Sequence, residues 1–149
     1  MTLSVSVERV VPASPERVFD LLADPRRHRE IDGSGTVRDA VDGPARLSHG
    51  AVFGMRMKAG AAYQMTNTVV EFEESRRIAW QPRPTRALAA RAIGGRVWRY
   101  ELEPVEGGTR VRETWDTSQE RLPLLIRPMA GITRRNMAKT LERLEAAVR

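Results

Sequence analysis

The sequence predicts an α+β fold: one curved antiparallel sheet of about seven strands wrapped around a long C-terminal helix, with two short helices between strands one and two. Three observations predict it. Alternating apolar and polar residues open the chain and resume from about residue 50 to residue 117, which is the period of half-buried strands. A capped helical stretch interrupts the alternation just after the first strand. The last part of the chain shifts to apolar steps of three and four, the period of a helix lying on a core.

In "TLSVSVERVV", Leu3, Val5 and Val7 oppose Ser4, Ser6 and Glu8, placing strand one at about residues 2–11. "PASPERVFDLLADPRRHREID" follows. Ser14 is placed to cap a helix, Pro15 suits its first position, and Val18, Phe19, Leu21 and Leu22 form its apolar face. Asp24-Pro25 closes that helix and opens a second, short one.

Alternation resumes in "AVFGMRMK", with Phe53, Met55 and Met57 on one face, and in "AAYQMTNTVVEFEE", with Tyr63, Met65, Asn67 and Val69 on one face. "RRIAWQPRP" is a short strand stopped by Pro82 and Pro84. "GRVWRYELEPVEGGTRVRETWDT" is the clearest hairpin, since Glu106-Gly107-Gly108 is turn chemistry between two alternating runs. Trp98, Tyr100 and Leu102 share one face of its first strand; Val111, Glu113 and Trp115 share one face of its second. Leu125, Met129, Ile132, Asn136, Met137, Leu141, Leu144 and Val148 then mark the long amphipathic helix.

At 149 residues the chain has the length of a single domain spanning residues 1–149. Hydrophobic residues at 41% and charged residues at 30% place it among globular proteins and outside the disordered class. No apolar run reaches the roughly 20 residues of a membrane span, and the N-terminus lacks a basic start and an apolar signal core, so a cytoplasmic protein is expected. The absence of cysteine excludes disulfides, thiolate nucleophiles and sulfur-ligated metals.

The net charge of +6 and pI near 10.8 are unevenly spread: Arg76, Arg77, Arg83, Arg86, Arg91, Arg96 and Arg99 fall in one stretch without an acid. Two readings of this segment stand, an arginine bias inherited from a G- and C-rich genome (lysine occurs only at positions 58 and 139) and a phosphate-binding surface.

The GSG of "EIDGSGTVRD" has the look of a phosphate-cradling loop, yet it follows a helix and leads into a strand, the reverse of the order such a loop requires. Gly33 fits the position past a helix end where a left-handed backbone is wanted, and Gly35 lets the chain turn into the sheet. The stretch becomes one lip of an interior.

A bent sheet holding one long helix tends to leave a gap between them, and the residues pointing there decide the function. On the parity above they are Phe53, Met55, Met57, Tyr63, Met65, Asn67, Trp80, Trp98, Tyr100, Glu113 and Trp115, with Met129 and Asn136 from the helix. Methionine and large aromatics suit a flat or chain-like apolar ligand. The same residues would also fill an ordinary closed core. Asn67, Glu113 and Asn136 are the residues that such a core does not explain, because a buried amide or carboxyl needs a partner. Burial would raise the Glu113 pKa and leave a neutral acid able to donate a hydrogen bond to a ligand; a salt bridge to Arg96 or Arg99 is the alternative.

The motif-bearing parts "SVERVVPASPERVFDLLADPRRHREID", "VVEFEESRRIAWQP" and "YELEPVEGGTRVRETWD", followed by the long helix, resemble the START-like (SRPBCC) superfamily and, within it, the polyketide cyclase/dehydrase and lipid-transport branch. The resemblance covers nearly the whole chain. It implies a helix-grip fold with an interior for a lipid, a polyketide or a similar hydrophobic molecule, and it implies no particular reaction. Many relatives carry Pro-x-Trp after the second helix; here the chain reads "HREID", and Ile31 stands in that place at the expected mouth.

The histidines are His28 and His49. His28 sits amid arginines on a short helix expected to be exposed. His49 shares the parity of Phe53 and is placed at the cavity mouth with Ile31. No Ser-His-acid set and no metal-binding spacing is evident, and no cofactor is expected. The leading expectation is a protein that binds, and transports or sequesters, a small hydrophobic ligand, with the long helix and the loops at residues 31–50 and 83–95 gating access. The alternatives are a polyketide cyclase or dehydratase using Glu113 and Tyr100 as acid and base, and a basic docking surface for nucleic acid or an acidic partner.

Overall fold

A computed structural model describes residues 4–85 and 94–149. The order of elements is β1 (Ser4–Val11), α1 (Pro15–Leu22), a 3-10 turn (Pro25–Arg27), α2 (His28–Ile31), β2 (Val37–Val41), β3 (Val52–Ala59), β4 (Ala61–Glu73), β5 (Arg77–Pro84), β6 (Val97–Val105), β7 (Gly108–Asp116), α3 (Pro123–Ile126), a second 3-10 turn (Arg127–Met129) and α4 (Ala130–Val148). The seven strands form one open antiparallel sheet in the order β1-β7-β6-β5-β4-β3-β2. The predicted α+β class and helix-grip arrangement hold.

Local chemistry accounts for the element ends. The Ser14 hydroxyl accepts from the Arg17 amide at 3.2 Å, and Pro15 supplies the preset first position of α1. The Asp24 carboxylate accepts from the Arg26 amide at 3.0 Å and starts the 3-10 turn. Gly107 takes φ +88° in the β6–β7 turn, a conformation that disfavours any side chain. A register shift between Val69 and Glu71 bulges β4, and such bulges bend a strand.

α4 packs on β1 and β7 and against α1 and α2, turning Thr133, Met137, Thr140, Leu141, Leu144 and Val148 inward. Each large apolar side chain so buried contributes roughly 1.5–3 kcal/mol. Leu125, Met129 and Ile132, expected on this inner face from their spacing, are corrected by the structure: all three are exposed. Ile132 stands five residues before the buried Met137, a step that puts the two on different faces of α4, and Met129 and Leu125 precede that helix.

Gly33 is also corrected. Its backbone is not in the left-handed region, unlike Gly35 at φ +75°. Glycine is required at 33 because the chain there touches α4: the Gly33 amide donates to Thr140 Oγ1 at 2.9 Å, and an added Cβ would collide with the Asn136 carbonyl and the Thr140 amide. Arg143 reinforces the contact by donating to the Glu30 and Asp32 carbonyls at 3.0 and 2.9 Å.

Three arginines of the acid-free stretch, Arg77, Arg96 and Arg99, acquire acidic partners from elsewhere in the chain. Glu71 and Arg99 flank the small Ala79 across three adjacent strands, and they meet over it at 2.6 Å, with Asp116 at 3.2 Å from the same guanidinium. The Arg99 hydrogen bond holds the Glu71 carboxyl below its ordinary range. Arg77 pairs with Glu71 and Glu101, and Arg96 with Glu120. Arg86, Arg91 and most of the proposed 83–95 gate lie outside the described residues.

Candidate functional site

Tyr100 and Glu113 come together because β6 and β7 pair in a register that sets them directly opposite, on the sheet face toward α4. Glu113 is only 3% exposed, and its Oε1 has no hydrogen-bond partner among the described residues. Burial pushes its pKa up to about 8, the Asp32 charge adds to the rise, and the Tyr100 hydroxyl opposes it. The carboxyl is therefore mainly neutral at pH 7 and can donate a hydrogen bond. Tyr100 is pushed well above its ordinary value by burial and then by the Glu113 charge. The salt-bridge alternative for Glu113 does not occur, since Arg96 and Arg99 are engaged by Glu120, Glu71 and Asp116.

The apolar interior falls into two clusters that meet at Val7, the residue directly opposite Glu113 on β1. The larger gathers α1, Phe53, Met55, Ile78, Tyr100 and Leu102 with the C-terminal half of α4; the smaller holds Val5, Trp115, Ile126 and Met137, with Trp98 against it. On β7, Glu113 stands between Val111 of the first and Trp115 of the second. The Trp115 indole nitrogen, a donor, is also buried without a partner among the described residues.

Beside Tyr100 runs an aromatic wall. Trp80 stacks on Tyr100 at 5.6 Å and on His28 at 4.7 Å, and Phe53 meets both Trp80 and His28 edge-on. His28 is thus not on an exposed helix, as its arginine neighbours suggested: it is 7% exposed, and its Nε2 donates to the Leu22 carbonyl at 2.8 Å. Burial lowers its pKa, so the ring is held neutral. A readable signal was present, because His28 and Ile31 are three apart and share a helix face.

Of the other residues predicted for the interior, Phe53, Met55, Asn67 and Trp115 are buried, and Met57, Met65, Trp80, Trp98 and Asn136 are partly buried. Asn67 donates to the Phe53 carbonyl at 3.4 Å. Tyr63 and Met129 are exposed and stand outside the interior. His49 lies exposed in the turn before β3, which begins at Val52, so strand parity does not apply to it. Ile31 is no open lip either, since the docking of α2 on α4 carries it into the main core.

The lip itself is polar. A surface groove of about 450 Å³ lies where the first 3-10 turn, α2, β2 and α4 meet, framed by Arg26, Arg29, Arg38 and Arg143 with Glu30 and Asp32. Asp32, which sequence reasoning did not single out, is placed by accepting from the Ser34 and Val37 amides at 2.9 Å each. It lines this groove, and its charge acts on both Glu113 and Tyr100. Among the described residues no group of histidine and acidic side chains is placed to hold a metal, and no helix is long and apolar enough to cross a membrane.

Solved structures with the same fold include a protein from Arthrobacter aurescens (TM-score 0.75, 18% identity, 98% of this chain and 86% of that one) and TTHA0849 from Thermus thermophilus (TM-score 0.67, 21% identity, 98% and 97%). In sequence, uncharacterized protein Rv0088 of Mycobacterium tuberculosis is 40% identical over 116 residues, which cover 76% of this chain and 46% of that protein. The chain spans about half the length of the curated relatives it matches. The family model for polyketide cyclase / dehydrase and lipid transport matches residues 2–149, and the chain belongs to that family.

Proposed function

We propose that the chain binds a small hydrophobic molecule bearing one polar group, held between the sheet and α4 with its polar end at Glu113 and Tyr100. The observation that carries this reading is the buried Oε1 of Glu113, which has no partner among the described residues and lies where two apolar clusters meet. A buried polar atom without a partner costs about 1–3 kcal/mol. A ligand hydroxyl or carbonyl supplied there would remove that cost, while the aromatic wall and Met55 receive the apolar body. The groove at Asp32 is the proposed way in, with the turn at Gly35 as its movable edge.

The test is a calorimetric titration with 2-naphthol, a flat hydrophobic phenol. The wild type is expected to bind it, and Glu113→Ala to bind it at least about tenfold more weakly, the loss of one hydrogen bond to a buried acid. Equal binding by both proteins would remove Glu113 from the site.

A second reading is favoured by one observation, the placement of Tyr100 and Glu113 directly opposite each other in the interior, where burial raises the Glu113 pKa to about 8. An acid so tuned can exchange a proton near neutral pH, and Tyr100 stands beside it, which suits cyclisation or dehydration of a bound poly-ketone. Turnover of a linear poly-β-ketone that is abolished in Glu113→Gln and reduced in Tyr100→Phe would establish it. Turnover unchanged by either substitution would overturn it.

A further inference from the structure

We propose that residues 121–139 form a docking surface for an anionic phospholipid bilayer. Leu122, Leu124, Leu125, Met129 and Ile132 are exposed within this one segment, Leu124 and Leu125 by 75% and 63%. Leu125, Met129 and Ile132 follow at steps of four and three along the α3–α4 segment, and all three are exposed. Ile126 is buried against Val5, Trp115 and Met137, so the segment is pinned from beneath with its leucines held outward.

Charge complementarity selects the occupant. No acid occurs from residue 121 to residue 141, while Arg121, Arg127, Arg134, Arg135 and Lys139 do. All five are exposed, and none is ion-paired among the described residues. Apolar side chains that insert, ringed by cations that meet lipid phosphates, are the chemistry of an interfacial helix. Nucleic acid would satisfy the cations and leave the leucines in water. A symmetric contact with a second copy would bring the five cations of one chain against those of the other.

Docking here is independent of what the interior binds, so neither proposal falls with the other. The experiment is co-sedimentation of the full chain with vesicles of phosphatidylglycerol and phosphatidylcholine in equal parts, beside vesicles of phosphatidylcholine alone. The wild type is expected to sediment with the mixed vesicles, more weakly with the neutral ones, and less as salt rises. Leu124→Asp with Leu125→Asp, both at exposed positions, should abolish sedimentation, and Arg135→Gln should weaken it roughly fivefold. Failure of the wild type to bind mixed vesicles, or undiminished binding by the leucine variant, would overturn the proposal. So would a dimer in sedimentation velocity that the leucine substitutions split.

Discussion

Tyr100 and Glu113 face each other directly across β6 and β7, and both are buried on the face that α4 covers. An acid placed there is stable mainly in its neutral form, which gives the fold a signature in pH.

The Glu113 pKa rises from an ordinary 4.5 to about 8 on folding. Between these values the folded state holds more protons than the unfolded one, so stability falls as pH rises through that window. The whole effect amounts to a few kcal/mol. Urea midpoints measured from pH 5 to pH 9 should decline in the wild type and decline much less in Glu113→Gln. Parallel declines would show that Glu113 is not the titrating group.

His28 acts in the opposite direction. Its folded pKa lies below the ordinary 6.5, so its share of stability is present above that pH and is lost as pH falls below it. His28→Phe should flatten the acid side of the stability profile. Its loss of the bond to the Leu22 carbonyl should cost about 1 kcal/mol at neutral pH. An unchanged acid limb would assign that limb to other groups.

Gly33→Ala forces a Cβ against the α4 backbone, and overpacking of this kind costs about 1–3 kcal/mol. Gly35→Ala meets open space and carries only the cost of a left-handed backbone, about 1 kcal/mol. Thermal unfolding should therefore rank Gly33→Ala as the less stable of the two. The reverse order would contradict the close approach of Gly33 to Asn136 and Thr140.

Arg99 bridges Glu71 and Asp116 through a planar, forked group. Arg99→Lys cannot reproduce that geometry and should lower stability by about 1 kcal/mol, and by less at high salt. Chemical denaturation at two salt concentrations checks it, and a lysine variant as stable as the wild type would show that the fork is dispensable.

Much of this was legible from periodicity. Strand parity alone put Tyr100, Glu113, Phe53, Asn67 and Trp115 on the inner face, because a period of two leaves no freedom once one face is buried. Helix phase was less secure. Ile132 and Met137 lie five residues apart in α4, which puts them on different faces, and a run of three- and four-residue steps through Asn136 conceals that change. His28 was obscured by its arginine neighbours, although its spacing from Ile31 pointed inward. The pairing of Arg99 with Glu71 depends on strand order and on Ala79 lying between them, and sheet topology is not written in any local window. Asp32 reads as a turn residue and becomes part of the site only when α2 docks on α4.

On this account the interior beside Glu113 holds a hydrophobic molecule by its polar end. Native mass spectrometry of the wild type and of Glu113→Ala, each purified from the protein's own host, tests it most directly. A discrete small-molecule adduct is expected on the wild type, with much lower occupancy in the variant. A wild-type protein without any adduct, together with no binding of 2-naphthol in solution, would contradict the claim.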